Sequence, residues 1–110
     1  MNYISTRGGS GAVSSAEVIK AGLAPDGGLF APAFLQKIGY EEVAAAGPGY
    51  GDLAERVLRS FLSDYSPAEL RDIVKKAYGS NFDTPEIVPL RLVGGKMGFL
   101  ELWHGPTCAF

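Results

Sequence analysis

Apolar residues in the middle of the chain recur at helical spacing, and those on either side come in short runs cut by glycine and proline. Leu53, Val57, Leu58, Phe61 and Leu62 make one stripe, with Asp52 expected at the N-cap and Glu55 at N3. Leu70, Ile73, Val74 and Ala77 make a second stripe. Ser66 is placed as its N-cap, Pro67 at N1 and Glu69 at N3. Arg71, Asp72, Lys75 and Lys76 take the opposite face as solvated surface. The short link at Tyr65 suits an antiparallel helix pair.

The flanks read differently. Tyr3-Ile4-Ser5-Thr6 is β-prone and runs into Arg7 and the turn Gly8-Gly9-Ser10-Gly11. Ser14 with Glu17 forms a capping box, Val13 can staple onto Val18, and Gly22 closes a helix of barely two turns. The turn Ala24-Pro25-Asp26-Gly27-Gly28 leads into a strand, Leu29-Phe30-Ala31, that stops at Pro32. A single helical turn is expected around Phe34 to Ile38, before the breaker Gly47-Pro48-Gly49. Near the end, residues 87–93 and 97–103 read as strands joined by Gly94-Gly95-Lys96, a hairpin signal. The expected fold is α+β, with short strands, about three helices and a C-terminal β-hairpin. No repeat, low-complexity tract or clear domain boundary interrupts it.

Composition narrows the function classes. An apolar fraction of 46% argues for a packed core and against disorder. A net charge of −2 with scattered cations leaves no footprint for nucleic acid or an acidic membrane surface. No run is long enough to span a bilayer, and the N-terminal residues lack the apolar core of a signal peptide. Cys108 is the one cysteine, which fits a reducing compartment, and the cytoplasm is the expected location. It reads as a small buried hydrophobe or as a reactive thiol. With one histidine and one cysteine, no metal-ligand cluster is expected.

Few segments could carry chemistry on residue type alone. Ser5-Thr6-Arg7-Gly8 sets two hydroxyls and a planar guanidinium beside a flexible turn, a donor set for phosphate or carboxylate; an exposed arginine at a strand end is the plainer alternative. The run Gly8-Gly9-Ser10-Gly11 lacks the lysine and spacing of a phosphate-binding P-loop. Asp26 is either an acid/base group or a turn residue bonded to its own backbone. His104 ends an apolar strand beside the turn Gly105-Pro106, and no second titratable group is expected next to it, so general-base work is not assigned to it.

Three separated segments, in order, resemble the threonine synthase family. Tyr3-Ile4-Ser5-Thr6-Arg7-Gly8 is similar to that family's Tyr-x-Ser-Thr-Arg-Gly opening. Gly22-Leu23-Ala24-Pro25-Asp26-Gly27-Gly28-Leu29-Phe30-Ala31-Pro32 resembles its Gly-Leu-Ala-x-Asp-Gly-Gly-Leu signature. Glu101-Leu102-Trp103-His104-Gly105-Pro106-Thr107-Cys108-Ala109-Phe110 resembles the approach to its cofactor lysine, His-Gly-Pro-Thr-x-Ala-Phe-Lys-Asp.

The resemblance implies the N-terminal domain, residues 1–110, of a fold-type II pyridoxal 5'-phosphate enzyme. Residues from about 97 onward would lead into a catalytic domain that the chain does not contain. The implied reaction converts O-phospho-L-homoserine and water into L-threonine and phosphate, the last step of threonine biosynthesis. A lysine Schiff base would hold the cofactor, and the pyridine ring would serve as electron sink. Ser5, Thr6 and Arg7 would bind the substrate phosphate; His104, Thr107 and Phe110 would line the cofactor end. The lysine is expected immediately after Phe110, so the chain is expected to be inactive alone, either as an N-terminal domain or as a sequence interrupted at a modified lysine. Two alternatives stay open: a threonine-synthase-like phospho-lyase of the same fold, and a non-catalytic binding module. A module predicts no apolar face awaiting a partner, whereas a domain cut from a longer enzyme predicts a sizeable one.

Overall fold

The computed structural model describes residues 1–107, so Cys108 and Phe110 lie outside the described residues. The chain divides into two compact units, Met1–Arg71 and the part from Asp72 onward. The division falls inside a helix, where no shift in composition marks it.

In the first unit, β1 (Tyr3–Ser5) is followed by α1 (Ser15–Ala21), β2 (Phe30–Pro32), α2 (Tyr40–Ala44) and α3 (Tyr50–Phe61). β1 and β2 pair antiparallel with Ile4 opposite Ala31. On the other edge of β1, Tyr3 exchanges backbone bonds with Val13 at 2.9 and 3.0 Å. The strand therefore has partners on both sides although it is three residues long. The capping box of α1 forms as expected: Ser14 accepts from Glu17 N, and the Glu17 carboxylate accepts from Ser14 N at 3.2 Å. Gly22 closes the helix at φ 74, a conformation that glycine adopts without Cβ strain.

A second carboxylate reaches the same helix end from far along the chain. Asp64 accepts from Ala16 N at 2.7 Å and from the Ser15 hydroxyl. Tyr3 adds a phenol bond to Phe61 O at 3.0 Å. These contacts tie the end of α3 onto β1 and α1, around the buried side chains of Tyr3, Ser15 and Ala24.

Two local expectations change. No helical turn forms around Phe34 to Ile38; a five-residue helix, α2, forms just after it instead. It is too short to show a period, and its N-cap Gly39 contributes no side-chain signal. α3 begins earlier than its apolar stripe suggests, with Gly49 at the N-cap and Asp52 at N3, where the carboxylate accepts from Gly49 N at 3.2 Å. An aspartate three residues into a helix satisfies the same orphan amides as one at the cap, so sequence alone misplaced the start.

α4 (Pro67–Ala77) starts as expected on Ser66, whose hydroxyl accepts from Glu69 N at 3.3 Å while Glu69 accepts from Ser66 N at 2.7 Å. Leu70 and Val74 of its apolar face are buried. Arg71 lies 3.8 Å from Glu55 of α3.

In the second unit, β3 (Leu90–Val93) and β4 (Met97–Leu100) form the expected antiparallel hairpin, with Leu90 opposite Leu100. Gly94 and Gly95 both carry positive φ, 60 and 66, as the type I′ turn requires, and Lys96 N closes it on Val93 O at 3.3 Å. The strands are shorter than the apolar runs. Ile87 sits at φ 59 and Val88 N bonds back to Glu86 O, so the hairpin's backbone bonds begin at Pro89 O, which accepts from Glu101 N at 2.9 Å. Every residue of both strands is exposed.

Candidate functional site

Pairing of β1 with β2 brings the turn after Ser5 against the turn before Leu29. Asp26 lies at the centre. Its carboxylate accepts from the Ser5 hydroxyl at 2.7 Å, Gly9 N at 2.8 Å and Gly28 N at 2.9 Å. Those bonds, the Ser5 hydroxyl foremost, hold its pKa below the ordinary carboxylate range. These bonds make Asp26 the anchor of its own turn, the second of its two readings. Gly28 N is the Asx-turn donor two residues on.

The three predicted substrate-binding residues differ in what they have left to offer. Ser5 is buried; its hydroxyl donates to Asp26 and accepts from Arg7 N at 3.1 Å. Thr6 is exposed and its hydroxyl accepts from Leu29 N at 3.0 Å, leaving its own proton without an acceptor among the described residues. The exposed Arg7 guanidinium donates to the Asp26 carbonyl at 3.4 Å and makes no ion pair among the described residues. Among the described residues, a charge without an ion pair and a hydroxyl proton without an acceptor thus stand side by side on this turn. The glycine loop offers less, since Gly9 N is held by Asp26 and the Ser10 hydroxyl accepts from Ser5 N at 3.0 Å.

The second cluster lies in the other unit. His104 Nδ1 is 2.5 Å from Asp83 Oδ1, and Nε2 is 2.8 Å from Glu101 Oε2. The expectation that no titratable group adjoins His104 is therefore wrong. Glu101 stands three residues before it, a signal that was available; Asp83 is 21 residues away and arrives only by folding. Hydrogen bonding to Glu101 first, and then to Asp83, raises the imidazole pKa above its ordinary value against the opposing effect of burial. Thr107, exposed, follows on the same turn.

A cavity of about 340 Å³ in the first unit is lined by Asp52, Glu55, Arg56, Arg59 and Arg71. Arg56 pairs with Glu42, and Arg59 and Arg71 both pair with Glu55, so its cations already have carboxylate partners. Among the described residues no His/Cys/Asp/Glu group could hold a metal ion, and no helix is long and apolar enough to cross a membrane.

The family model for the threonine synthase N terminus matches residues 2–78. The chain belongs to the threonine synthase N-terminal family. It is 43% identical to a threonine synthase of Pseudomonas aeruginosa over all of this chain and 24% of that protein, and 39% identical to one of Schizosaccharomyces pombe over all of this chain and 22% of that protein. Among solved structures, a threonine synthase of Brucella melitensis with bound pyridoxal phosphate aligns over the whole chain and 24% of its own length, at TM-score 0.88 and 36% identity. A yeast threonine synthase gives 0.82 and 34% over 96% of this chain and 22% of its own. The chain thus spans about a quarter of the length of the relatives it matches, and this likeness confirms the α+β assignment as that of a threonine synthase N-terminal region.

The described residues do not by themselves fit the pyridoxal phosphate of such enzymes. Lys20, Lys37, Lys75, Lys76 and Lys96 are all exposed, and the turn amides of Gly9 and Gly28 are held by Asp26.

Proposed function

We propose that this chain is the N-terminal part of a threonine synthase that converts O-phospho-L-homoserine and water to L-threonine and phosphate with pyridoxal 5'-phosphate. The supporting observation is the likeness, across the whole chain at 36% identity, to an enzyme whose structure carries that cofactor. In this reading the lysine that holds the cofactor would be supplied by the longer polypeptide, and the 110 residues would contribute one wall of the site.

Within this reading Ser5, Thr6 and Arg7 form the substrate-phosphate segment with divided roles. Ser5 keeps the turn in shape through Asp26, while Thr6 and Arg7 present the free donors to the phosphate. By the same reading His104 and Thr107 would belong to the cofactor end, as would Phe110 by its place in the motif. The exposed apolar hairpin, with Leu92 at 68% and Trp103 beyond it at 63%, is the face that the rest of the polypeptide covers; an autonomous binding module offers no reason for it.

The decisive assay measures phosphate and threonine release from phosphohomoserine by the full-length protein. A folded, cofactor-loaded protein that releases neither overturns the reading. A second reading has its own support: the chain is 38% identical over 86% of its length to human Threonine synthase-like 1. A phospho-lyase of that fold would yield a keto acid instead of threonine, and mass spectrometry of the products separates the two.

A further inference from the structure

We propose that His104 acts as an imidazolium clamp, a positioning residue that pins the start of the Gly105-Pro106-Thr107 turn between the segment bearing Asp83 and the end of β4. Each ring nitrogen faces a carboxylate oxygen, Asp83 at 2.5 Å and Glu101 at 2.8 Å. A neutral imidazole has one N–H, and its remaining lone pair would face a carboxylate; only the doubly protonated ring donates to both. The same geometry removes His104 from general-base work, since neither nitrogen is left to receive a substrate proton.

The surroundings favour the cation. Asp83 faces the ring from the segment after α4, and Glu101 faces it from the chain leaving β4. Arg91 of β3 lies 3.6 Å from the other oxygen of Glu101 and 3.9 Å from Glu86. The Trp103 ring lies 5.7 Å away. Three carboxylates against one guanidinium leave the cluster short of positive charge until His104 is protonated. Two further contacts bind the turn to the same segment. Asp83 N donates to His104 O at 3.2 Å, and a Cβ built on Gly105 would meet the Phe82 ring at 3.4 Å.

The significance of this turn as the approach to the cofactor lysine rests on the threonine synthase reading; the clamp itself does not. It is tested on the 110-residue chain, in which His104 is the one histidine and gives a single set of imidazole NMR signals. The titration midpoint is expected above that of an ordinary imidazole, about 6.5, and both ring nitrogens should carry protons below it. Glu101→Gln should lower that midpoint, and Asp83→Asn should lower it by less. Amide exchange at Gly105 and Thr107 should accelerate several-fold, beyond the ordinary effect of base, as pH rises through the midpoint. In the double variant this step should vanish. A midpoint at or below about 6.5, a midpoint indifferent to both substitutions, or exchange that ignores the titration overturns the clamp. If the variants do not fold, the wild-type midpoint decides alone, and a value at or below about 6.5 overturns it. None of these readouts needs turnover, so an enzyme that fails to make threonine sinks the functional reading and leaves the clamp standing.

Discussion

Ser5 gives its hydroxyl proton to Asp26 at 2.7 Å and so joins two turns that lie 21 residues apart. The contact leaves no room beside it. A Cβ built on Gly28 would sit 2.2 Å from Ser5 Oγ and 3.2 Å from Arg7 N. The Asp-Gly-Gly turn and the Ser-Thr-Arg turn are therefore one structure, in which the first anchors the second and Arg7 is presented by both.

Gly28→Ala is expected to destabilise the chain by about 1–3 kcal/mol, the usual cost of overpacking a buried position. Its φ is not in the left-handed region, so the penalty is steric. Urea unfolding followed by circular dichroism checks it. A stability equal to wild type would mean that the Ser5–Asp26 contact yields without cost.

Arg7→Ala should leave stability within about 0.5 kcal/mol, because an exposed side chain with one long bond to a carbonyl holds little in place. In the full-length protein the same change should weaken phosphohomoserine binding by roughly 10- to 100-fold, the loss of a charged hydrogen bond to phosphate. The cofactor's absorption should not change. Equal weakening of substrate and cofactor, or of neither, removes Arg7 from the substrate site.

The acid limb of stability should follow the anchored carboxylates. Hydrogen bonds lower the pKa of Asp26, Asp64, Glu17 and Glu69, with the Ser5, Ser15, Ser14 and Ser66 hydroxyls as the respective leading causes. A lowered folded-state pKa contributes stability above the unfolded value, and that stability is lost as pH falls through the folded one. The melting temperature should therefore decline below about pH 4, where free carboxylates begin to protonate. In Asp26→Asn and Asp64→Asn it should start lower and decline less. Parallel curves for wild type and variants would contradict this.

The hairpin gives a test that needs no chemistry. The 110-residue chain should bind a hydrophobic dye, and Leu92→Ser with Leu100→Ser should cut the signal by roughly half, since both side chains are exposed and face no core. In the full-length protein the dye should not bind there. Undiminished dye binding by the variant would move the sticky surface elsewhere.

Much of the architecture is legible in the sequence. The capping boxes of α1 and α4 and the paired glycines of the hairpin act within a few residues, and their geometry leaves little choice. The errors have the same root. α2 is shorter than a readable period, α3 starts from a glycine with no side chain to announce it, and Ile87 leaves the extended conformation that its side chain favours.

The candidate site divided along that line. Local sequence determined that Ser5-Thr6-Arg7 would be a polar turn, that Asp26 would bond its own backbone and that His104 would end a strand. Only the tertiary structure decided that Asp26 anchors Ser5, that Asp64 caps a helix beginning 49 residues earlier at Ser15, and that Asp83 meets His104. The reason is physical. Turns and caps are set by the torsions and side chains of neighbouring residues, whereas a carboxylate's partner across the fold depends on strand pairing and packing, whose register no local pattern encodes.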